Sequence, residues 1–313
     1  MLRALKSTLA IFVGLLVYGT VFQRDLGKAM ISKAVGGDQP CPWKQLAQYP
    51  WAVAKFAELQ EEISRGVSVE RVDPVLPIQL MRTGGRSFWI KKAGDDRDGK
   101  GTLAYVLAEQ KWISQYAGAN NVKQGDVVVD VGAHVGTFDD DALRRGASKV
   151  ILVEPDPVNV ECIRRNFAKE IAEGRVIVVP EGAWSSRSTL EFSQGVANSG
   201  TGSFVLRETG SSTIKVPVRP LDEILAELGI DRIDYMKMDI EGAEREALKG
   251  ARGTLAKSRP VIMLDHYHLP DDAAVLPKII MAGNSAYRAD CALCSPDRLG
   301  KSDRFIPYSV FYR

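Results

Sequence analysis

Residues 127–138, VVVDVGAHVGTF, constrain the fold of this chain more than any other stretch of its 313 residues. The run of valines shows no alternation of apolar and polar residues, which is typical of a strand buried on both faces of a parallel sheet. Asp130 closes the strand, and Gly132 and Gly136 bracket a tight turn before a helix that begins at Thr137 with an acidic first turn. A strand, a glycine turn and a helix in this order predict an α/β sheet that holds a nucleotide-containing ligand.

The spacing of the glycines indicates which ligand this is. A dinucleotide-binding turn has the pattern G-x-G-x-x-G, whose backbone N–H groups receive a pyrophosphate. Here the pattern is D-x-G-x-x-x-G, with a carboxylate where it would repel a pyrophosphate, and Gly132 is followed by Ala133, His134 and Val135. The pattern therefore disfavours an NAD-dependent dehydrogenase and favours S-adenosylmethionine, which carries no phosphate. The alternative is a glycine turn that only connects a strand to a helix.

The first segment has the composition of a membrane-spanning helix. Residues 7–23 carry no charge and are flanked by Arg3 and Lys6 on one side and by Arg24 and Lys28 on the other. As a helix they would reach roughly 25 Å, close to the thickness of a bilayer core. We predict an N-terminal anchor and a single-pass membrane protein, with a cleaved signal peptide followed by secretion, or a buried core helix, as alternatives. If the cofactor is S-adenosylmethionine, a cytosolic metabolite, the catalytic domain faces the cytoplasm.

The chain divides by composition into three parts. After the anchor, residues 1–33, a segment rich in glycine and proline leads into a helical pattern, so residues 34–74 are predicted to be a linker and a helical pre-domain. Residues 75–313 begin with a predicted hairpin and continue as alternating strands and helices, which is typical of a doubly wound, mostly parallel sheet. The 41 basic and 39 acidic residues nearly cancel, and no long basic run is present, so we expect no nucleic-acid partner.

A second cofactor contact is predicted at the end of the next strand. Glu154 ends the strand over residues 150–153 and lies 24 residues after Asp130. In a nucleotide-binding unit, an acid about 20 residues on accepts hydrogen bonds from the ribose hydroxyls. The alternative is an acid that only favours the start of the next helix.

The turn after the third strand is the expected place for an adenine. Gly182 and Ala183 follow the strand over residues 175–180, and Trp184 is either a further contact or a core residue. Three short strands then predict a β-meander that covers the substrate, over residues 189–193, 203–207 and 213–218.

Two acids and a glycine follow the strand over residues 233–238. Asp239 and Glu241 would lie at the carboxyl edge of the sheet, beside the first strand, where doubly wound folds bind ligands. Gly242 permits a close approach of substrate. The alternative for both acids is an N-terminal cap of the next helix.

The four cysteines add little to these predictions. Cys291 and Cys294 form a C-x-x-C pattern, but no second pair indicates a zinc site. Cys162 is expected to be buried, and Cys41, near the membrane segment, could be lipidated or paired.

Taken in order, the motifs resemble those of the FkbM family of S-adenosylmethionine-dependent methyltransferases. The resemblance covers about residues 79–313 and rests on VVVDVGAHVGTF, ILVEPDP, VPVRPLDEIL, IDYMKMDIEGAEREALKG and VIMLDHYH. It implies a class I methyltransferase fold with a seven-stranded sheet whose last strand is antiparallel. It also implies methyl transfer to a hydroxyl, often of a sugar, a polysaccharide or a natural product. The rival interpretation is a non-catalytic subunit of a membrane complex that keeps this fold.

The resemblance further implies roles for single residues. Asp130, Gly132 and Gly136 would contact the methionine part of the cofactor, and Glu154 would contact the ribose. His134 stands where the family usually has asparagine. With the residues argued above, the predicted cofactor-binding set is Asp130, Gly132, Ala133, His134, Gly136, Glu154, Gly182 and Ala183.

For the acceptor, the resemblance implies that Asp239 and Glu241 face a glycan, lipid-linked or small-molecule hydroxyl, and the sequence identifies no protein partner. A hydroxyl needs a base, and a histidine with a pKa of about 6.5 is suitable. His266 and His268 follow the strand over residues 261–264, and either could be this base or a structural residue. A metal held by these histidines with Asp239 and Asp265 has no diagnostic spacing, and we predict none.

Overall fold

The structure, a computed structural model, describes residues 24–92, 99–196, 198–297 and 304–313. The predicted membrane segment, residues 7–23, lies outside these ranges. Within them, no helix combines the length and the apolar character that crossing a membrane requires.

Helices and strands alternate through most of the described chain. The α-helices are α1 (Arg24–Ala34), α2 (Trp43–Gly66), α3 (Lys100–Ala117), α4 (Thr137–Arg144), α5 (Pro157–Asn166), α6 (Ala168–Ala172), α7 (Leu221–Glu227), α8 (Glu244–Lys249), α9 (Arg252–Lys257) and α10 (Asp272–Gly283). The strands are β1 (Ser68–Val72), β2 (Ile78–Thr83), β3 (Arg86–Lys91), β4 (Val127–Val131), β5 (Lys149–Val153), β6 (Val176–Val179), β7 (Gly182–Ala183), β8 (Ser188–Ser193), β9 (Thr213–Arg219), β10 (Tyr235–Met238), β11 (Val261–Asp265), β12 (Ala289–Cys291), β13 (Cys294–Pro296), β14 (Phe305–Pro307) and β15 (Ser309–Tyr312).

A seven-stranded sheet occupies the centre of the structure, in the order β12, β15, β11, β10, β4, β5, β6. Neighbours among β4, β5, β6, β10 and β11 pair in parallel, whereas β15 is antiparallel to both of its neighbours. The chain enters near the middle at β4, builds one half outward to β6, and returns through β10 to build the other half. The predicted doubly wound, mostly parallel sheet with an antiparallel last strand is therefore confirmed.

Both faces of β4 are covered, as its uninterrupted valines predict. Val128 and Val129 are fully buried and belong to different apolar clusters. Val129 packs in a cluster with Leu248 of α8, whereas Val128 packs in a cluster with Trp112 of α3 and Ile163 of α5. The sheet is thus sandwiched between two helical layers, which leaves the carboxyl ends of its strands free for a site.

The predicted β-meander is only partly correct. β8 and β9 pair antiparallel, and β7 pairs with β9, so that these strands form a small second sheet. The third predicted strand, residues 203–207, is a loop that meets β8 through a single bridge between Ser193 and Ser203. The Ser203 hydroxyl accepts hydrogen bonds from the backbone N–H groups of Val205 and Leu206, and it donates one to the carbonyl oxygen of Glu241. These local hydrogen bonds hold a turn where the composition predicts a strand.

The segment before residue 75 packs on the rest of the molecule. α2 lies along α3, and β1 pairs with β2. Cys41, between α1 and α2, forms a disulfide with Cys294 at the start of β13, so of its two predicted fates the structure shows pairing. Cys162 is buried, as expected, and the Sγ atom of Cys291 lies 3.8 Å from that of Cys294.

Candidate functional site

The main cleft lies at the carboxyl ends of β4, β5 and β10, where the strand order reverses. Its lining encloses about 500 Å³ of space between atoms, including its open mouth. Ser199, Gly200 and Phe204 of the loop after β8 also line it. The predicted cofactor-binding residues that line the main cleft are Gly132, His134, Glu154, Gly182 and Ala183.

Gly132 makes the turn after β4 and approaches β10 closely. Its φ of 84° lies in the left-handed region, and a Cβ atom here would come within 2.1 Å of the carbonyl oxygen of Asp239. Its N–H donates to the carbonyl oxygen of Val153 at 2.9 Å. Because the ends of β4, β5 and β10 meet at this residue, a side chain has no room.

Gly136 has a different role from the predicted one. A Cβ atom at this position would lie 2.2 Å from the ring of Phe167, and Gly136 lines neither the main cleft nor the cavity beside it. The structure therefore assigns Gly136 to the packing of the start of α4 and not to a contact with the methionine part of a ligand.

His134 lines the main cleft in a backbone conformation that few side chains tolerate. Its φ is 53°, in the left-handed region where histidine and asparagine are enriched. Its N–H donates to Glu154 Oε2 at 2.8 Å, and its Nε2 lies 2.6 Å from Ser199 Oγ. Burial, with the charge of Lys237, lowers the pKa of His134 to about 4, so the imidazole is neutral. Asparagine and histidine share the ability to hold this turn, which explains how His134 can replace the usual asparagine.

Glu154 is a buried acceptor at the end of β5. Its carboxylate accepts hydrogen bonds from the backbone N–H groups of His134 (2.8 Å) and Asp156 (2.9 Å) and from the side-chain amide of Asn159 (3.3 Å). Burial, together with the charge of Asp156, raises the pKa of Glu154 to about 8. This side chain is the acid that the sequence predicts at the end of this strand, and it lines the main cleft.

The raised pKa of Glu154 predicts a pH-dependent stability. The folded protein keeps a proton that the unfolded chain, with a pKa of 4.5, has lost, so the stabilisation is present below about pH 4.5 and is lost as pH rises through about 8. Glu154→Gln mimics the protonated carboxyl. We expect its unfolding free energy to fall less than that of wild type between about pH 5 and 8.5, the difference between the two losses being on the order of 2–4 kcal/mol. Urea unfolding at several pH values measures this. Glu223→Gln, which removes one partner of an exposed ion pair, should leave the dependence of unfolding free energy on pH unchanged. If the unfolding free energies of wild type and Glu154→Gln changed in parallel with pH, the raised pKa of Glu154 would be contradicted.

Asp130 does not reach the main cleft, which corrects its predicted role. Its carboxylate is fully buried, borders the cavity beside the cleft, and pairs with Lys237 of β10, the Oδ1 to Nζ distance being 3.1 Å. Lys237 also donates to the carbonyl oxygen of Gly132 at 3.3 Å. Asp130 therefore acts on the glycine turn through Lys237.

A second cavity, here called the side cavity, adjoins the main cleft, and its lining encloses about 550 Å³ of space between atoms, including its open mouth. The residues common to both are Gly132, His134, Gly200 and Asp239. Ala133 lines the side cavity only. Glu109 also lines the side cavity and accepts hydrogen bonds from the hydroxyls of Tyr105 and Tyr308. Burial and the charge of Asp239 raise the pKa of Glu109 to about 7.

Three of the four predicted catalytic residues come together, and one of them, Asp239, lines the side cavity. His268 Nε2 lies 3.5 Å from Asp239 Oδ1 and 3.6 Å from Glu241 Oε2, and its Nδ1 lies 2.9 Å from Glu244 Oε1. Burial lowers the pKa of His268, but Glu244, Asp239 and Glu241 outweigh it and hold that pKa well above its ordinary value. Burial raises the pKa of Glu241 to about 8, against the effect of His268.

His266, the fourth predicted residue, is elsewhere. It is buried, its Nε2 lies 3.1 Å from the Tyr312 hydroxyl of β15, and its ring stacks on that of Tyr312. Burial and the nearby His268 lower its pKa to about 3. Of the two histidines that the sequence leaves open, His266 is thus the one that lies against Tyr312 and outside the group formed by Asp239, Glu241 and His268.

Sequence reasoning missed Lys237 and Glu109. Lys237 is the charged residue of an otherwise apolar strand, YMKM, and such a residue signals a buried partner. Glu109 lies three and four residues before Trp112 and Ile113, on the buried face of α3. A carboxylate on the apolar face of a helix is a signal of the same kind. Trp184, considered for the adenine, packs edge-on against Phe204 instead.

Comparison with known proteins gives a family match. The sequence profile of the methyltransferase FkbM domain matches residues 130–285, which span β4 to the turn after α10 and include the main cleft and the His268 cluster.

Two curated relatives are both methyltransferases. The chain is 28% identical over 160 residues to methyltransferase sdnD of Sordaria araneosa, covering 42% of this chain and 62% of that protein. It is 30% identical over 145 residues to hexuronic acid methyltransferase AglP of Haloferax volcanii, covering 46% of this chain and 57% of that protein. The chain thus spans less than two thirds of the length of either relative. A solved structure of methyltransferase FkbM from Methylobacillus flagellatus KT aligns with a TM-score of 0.47 at 17% identity, over 91% of this chain and 65% of that one.

Proposed function

Because the chain belongs to the FkbM family of S-adenosylmethionine-dependent methyltransferases, we propose that it transfers a methyl group from S-adenosylmethionine to a hydroxyl group of a glycan, lipid-linked or small-molecule acceptor. The observation that carries this proposal is the position of Asp239, which lines both the main cleft and the side cavity. One ligand in each cavity would meet at this carboxylate. Such a junction suits the transfer of a small group between two bound ligands.

The residues of the main cleft fit the cofactor. Glu154 offers a buried carboxylate that can accept hydrogen bonds from ribose hydroxyls, and Gly132 forms a turn that a single Cβ atom would block. We assign the ribose to Glu154, the adenine to Gly182 and Ala183, and the methionine part to the turn at Gly132. When bound, S-adenosylmethionine supplies a methyl group on a positively charged sulfur.

The side cavity would hold the acceptor. The Asp239 side chain is 27% exposed, so an acceptor hydroxyl can donate a hydrogen bond to it. Asp239 would orient this hydroxyl and receive its proton as the oxygen forms a bond to the methyl carbon and the electrons of the carbon–sulfur bond return to sulfur. A positioned base of this kind contributes roughly 10²- to 10⁴-fold to a rate.

The proposal is tested with the full chain in detergent and radiolabelled S-adenosylmethionine. Because one relative is named for hexuronic acid, uronic-acid glycosides and glycolipids are the first acceptors to screen. We expect Asp239→Asn to keep cofactor binding in calorimetry and to lower methyl transfer by on the order of 100-fold or more. Glu223→Gln is the matched control. A folded chain that does not bind S-adenosylmethionine would exclude the proposal, and cofactor binding without transfer to any acceptor class would favour a non-catalytic subunit.

We also propose that residues 7–23 anchor the chain and that its catalytic residues face the cytoplasm, where S-adenosylmethionine is made. Nucleic acid stays outside the proposed acceptors because the net charge is only +2. The disulfide between Cys41 and Cys294 is the state expected after export that follows signal cleavage, whereas the cytoplasmic location proposed here requires both thiols to be free in the cell. Alkylation of thiols in intact cells, followed by mass spectrometry, measures their oxidation state. Complete oxidation in cells would contradict the cytoplasmic location.

A further inference from the structure

We propose that Asp239, Glu241 and His268 bind one divalent cation at the edge of the side cavity. The three residues each place one ligand atom so that all three atoms lie within 4.8 Å of one another. The role that this cation would have in choosing an acceptor rests on the proposed function, but the binding of the cation can be measured without methyl transfer.

Two distances within the cluster are close to the separation between ligand atoms around one ion. Nε2 of His268 lies 3.5 Å from Asp239 Oδ1 and 3.6 Å from Glu241 Oε2, beyond ordinary N–H···O distances of about 2.7–3.2 Å. Two ligand atoms that each lie about 2.0–2.4 Å from the same cation are roughly 3–3.5 Å apart. If His268 were an imidazolium, the proton on its Nε2 would lie between the carboxylates of Asp239 and Glu241 without a good hydrogen bond to either. A cation between the three ligand atoms would satisfy both carboxylates better.

His268 is oriented as a ligand. Its side chain is 2% exposed, and within the described residues its Nε2 has no hydrogen-bond partner. Its other nitrogen, Nδ1, lies 2.9 Å from Glu244 Oε1, and Glu244 is fixed in turn by the backbone N–H of Ile240 at 3.0 Å. A carboxylate on one imidazole nitrogen places the proton there and leaves the lone pair of the other nitrogen for a metal, an arrangement common around metal-bound histidines.

The two carboxylates complete an oxygen-rich set. Asp239 Oδ1 is buried and receives no hydrogen bond from any residue of the described ranges. Glu241 holds its side chain beside His268 from a backbone with φ of 52°, and the hydroxyl of Ser203 donates to its carbonyl oxygen at 2.6 Å. Two carboxylates and one imidazole favour Mg²⁺, Mn²⁺ or a similar cation over metals that prefer sulfur.

A cation here would refine the choice of acceptor. Asp239 and Glu241 are 27% and 22% exposed, and Asp239 lines the side cavity, so a cation bound to them can be reached by an acceptor held there. A bound cation lowers the pKa of a coordinated hydroxyl and orients it. An acceptor with a carboxylate or a second hydroxyl next to the reacting hydroxyl would bind through two oxygens, which selects sugar acids and vicinal diols.

Manganese binding tests the inference without any acceptor. The full chain in detergent is titrated with Mn²⁺, and the free ion is followed by electron paramagnetic resonance. We expect one bound Mn²⁺ per chain, with affinity lowered at least about tenfold in His268→Gln and in Glu241→Gln and unchanged in Glu223→Gln. Mg²⁺ should compete for the site.

Calorimetry with S-adenosylmethionine on the same variants shows that each is folded. Wild-type chain that binds S-adenosylmethionine but no Mn²⁺ up to about 1 mM would overturn the inference, as would Mn²⁺ affinity equal in all variants. Mn²⁺ binding by a chain that does not bind S-adenosylmethionine would support the site and exclude the proposed function.

Discussion

Replacing Lys237 with methionine is expected to lower the free energy of unfolding by about 3–5 kcal/mol. The side chain of Lys237 is 9% exposed and pairs with Asp130, which is fully buried, and Asp139 is equally buried nearby. Burial raises the pKa of Asp130, and Lys237 opposes this rise. Without the ammonium, the buried carboxylate must either remain an uncompensated charge or take up a proton, and both cost stability.

The partner substitution separates charge from packing. In the Lys237→Met background, Asp130→Asn removes the unpaired charge and should recover a substantial part of the loss, which a double-mutant cycle from urea midpoints measures. Lys123→Met, at an exposed lysine, should change stability by less than about 0.5 kcal/mol. If Lys237→Met lowered the free energy of unfolding equally with and without Asp130→Asn, the loss would come from packing and not from the buried ion pair.

Substituting Gly132 with alanine is expected to weaken the binding of S-adenosylmethionine by on the order of 100-fold or more, equivalent to about 3 kcal/mol. The new methyl group would lie 2.1 Å from the carbonyl oxygen of Asp239 and 2.8 Å from the side chain of Ile240. Since these are parts of the wall of the main cleft, the strand ends must separate to admit it. Calorimetric titration with S-adenosylmethionine measures the loss.

Gly125 supplies a matched control for backbone strain. Its φ is 87°, close to the 84° of Gly132, but a Cβ atom there meets nothing within 4 Å. Gly125→Ala should therefore carry the cost of a left-handed alanine, about 1–2 kcal/mol of stability, and leave cofactor affinity unchanged. If both variants lost affinity equally, strain and not the contact with Asp239 would be responsible.

The strands around the site could be predicted because their signals are local. The uninterrupted apolar run at Val128 and Val129 indicates burial on both faces, and the glycine turn at Gly132 marks the carboxyl end of β4. The partner of Asp130 could not be predicted in this way. Lys237 lies 107 residues later, and only the pairing of β4 with β10 brings the two charges together.

The histidines show where local signals end. His266 and His268 follow the same strand, and nothing in VIMLDHYH distinguishes them. The choice depends on Tyr312 of β15, which binds His266, and on Glu244 of α8, which binds His268. The loop over residues 203–207 escaped prediction for a related reason, since Ser203 makes hydrogen bonds that compete with strand pairing.

The disulfide between Cys41 and Cys294 also affects how any of these stabilities is measured. It joins positions 253 residues apart, so the loop that it closes contains almost the whole folded unit. An unfolded chain closed in this way stays more compact, exposes less surface to denaturant and gives a smaller dependence of unfolding free energy on urea. Chain entropy alone would make the oxidised protein more stable by up to about 5 kcal/mol. Unfolding curves recorded with and without reductant therefore refer to different reference states and cannot be compared directly.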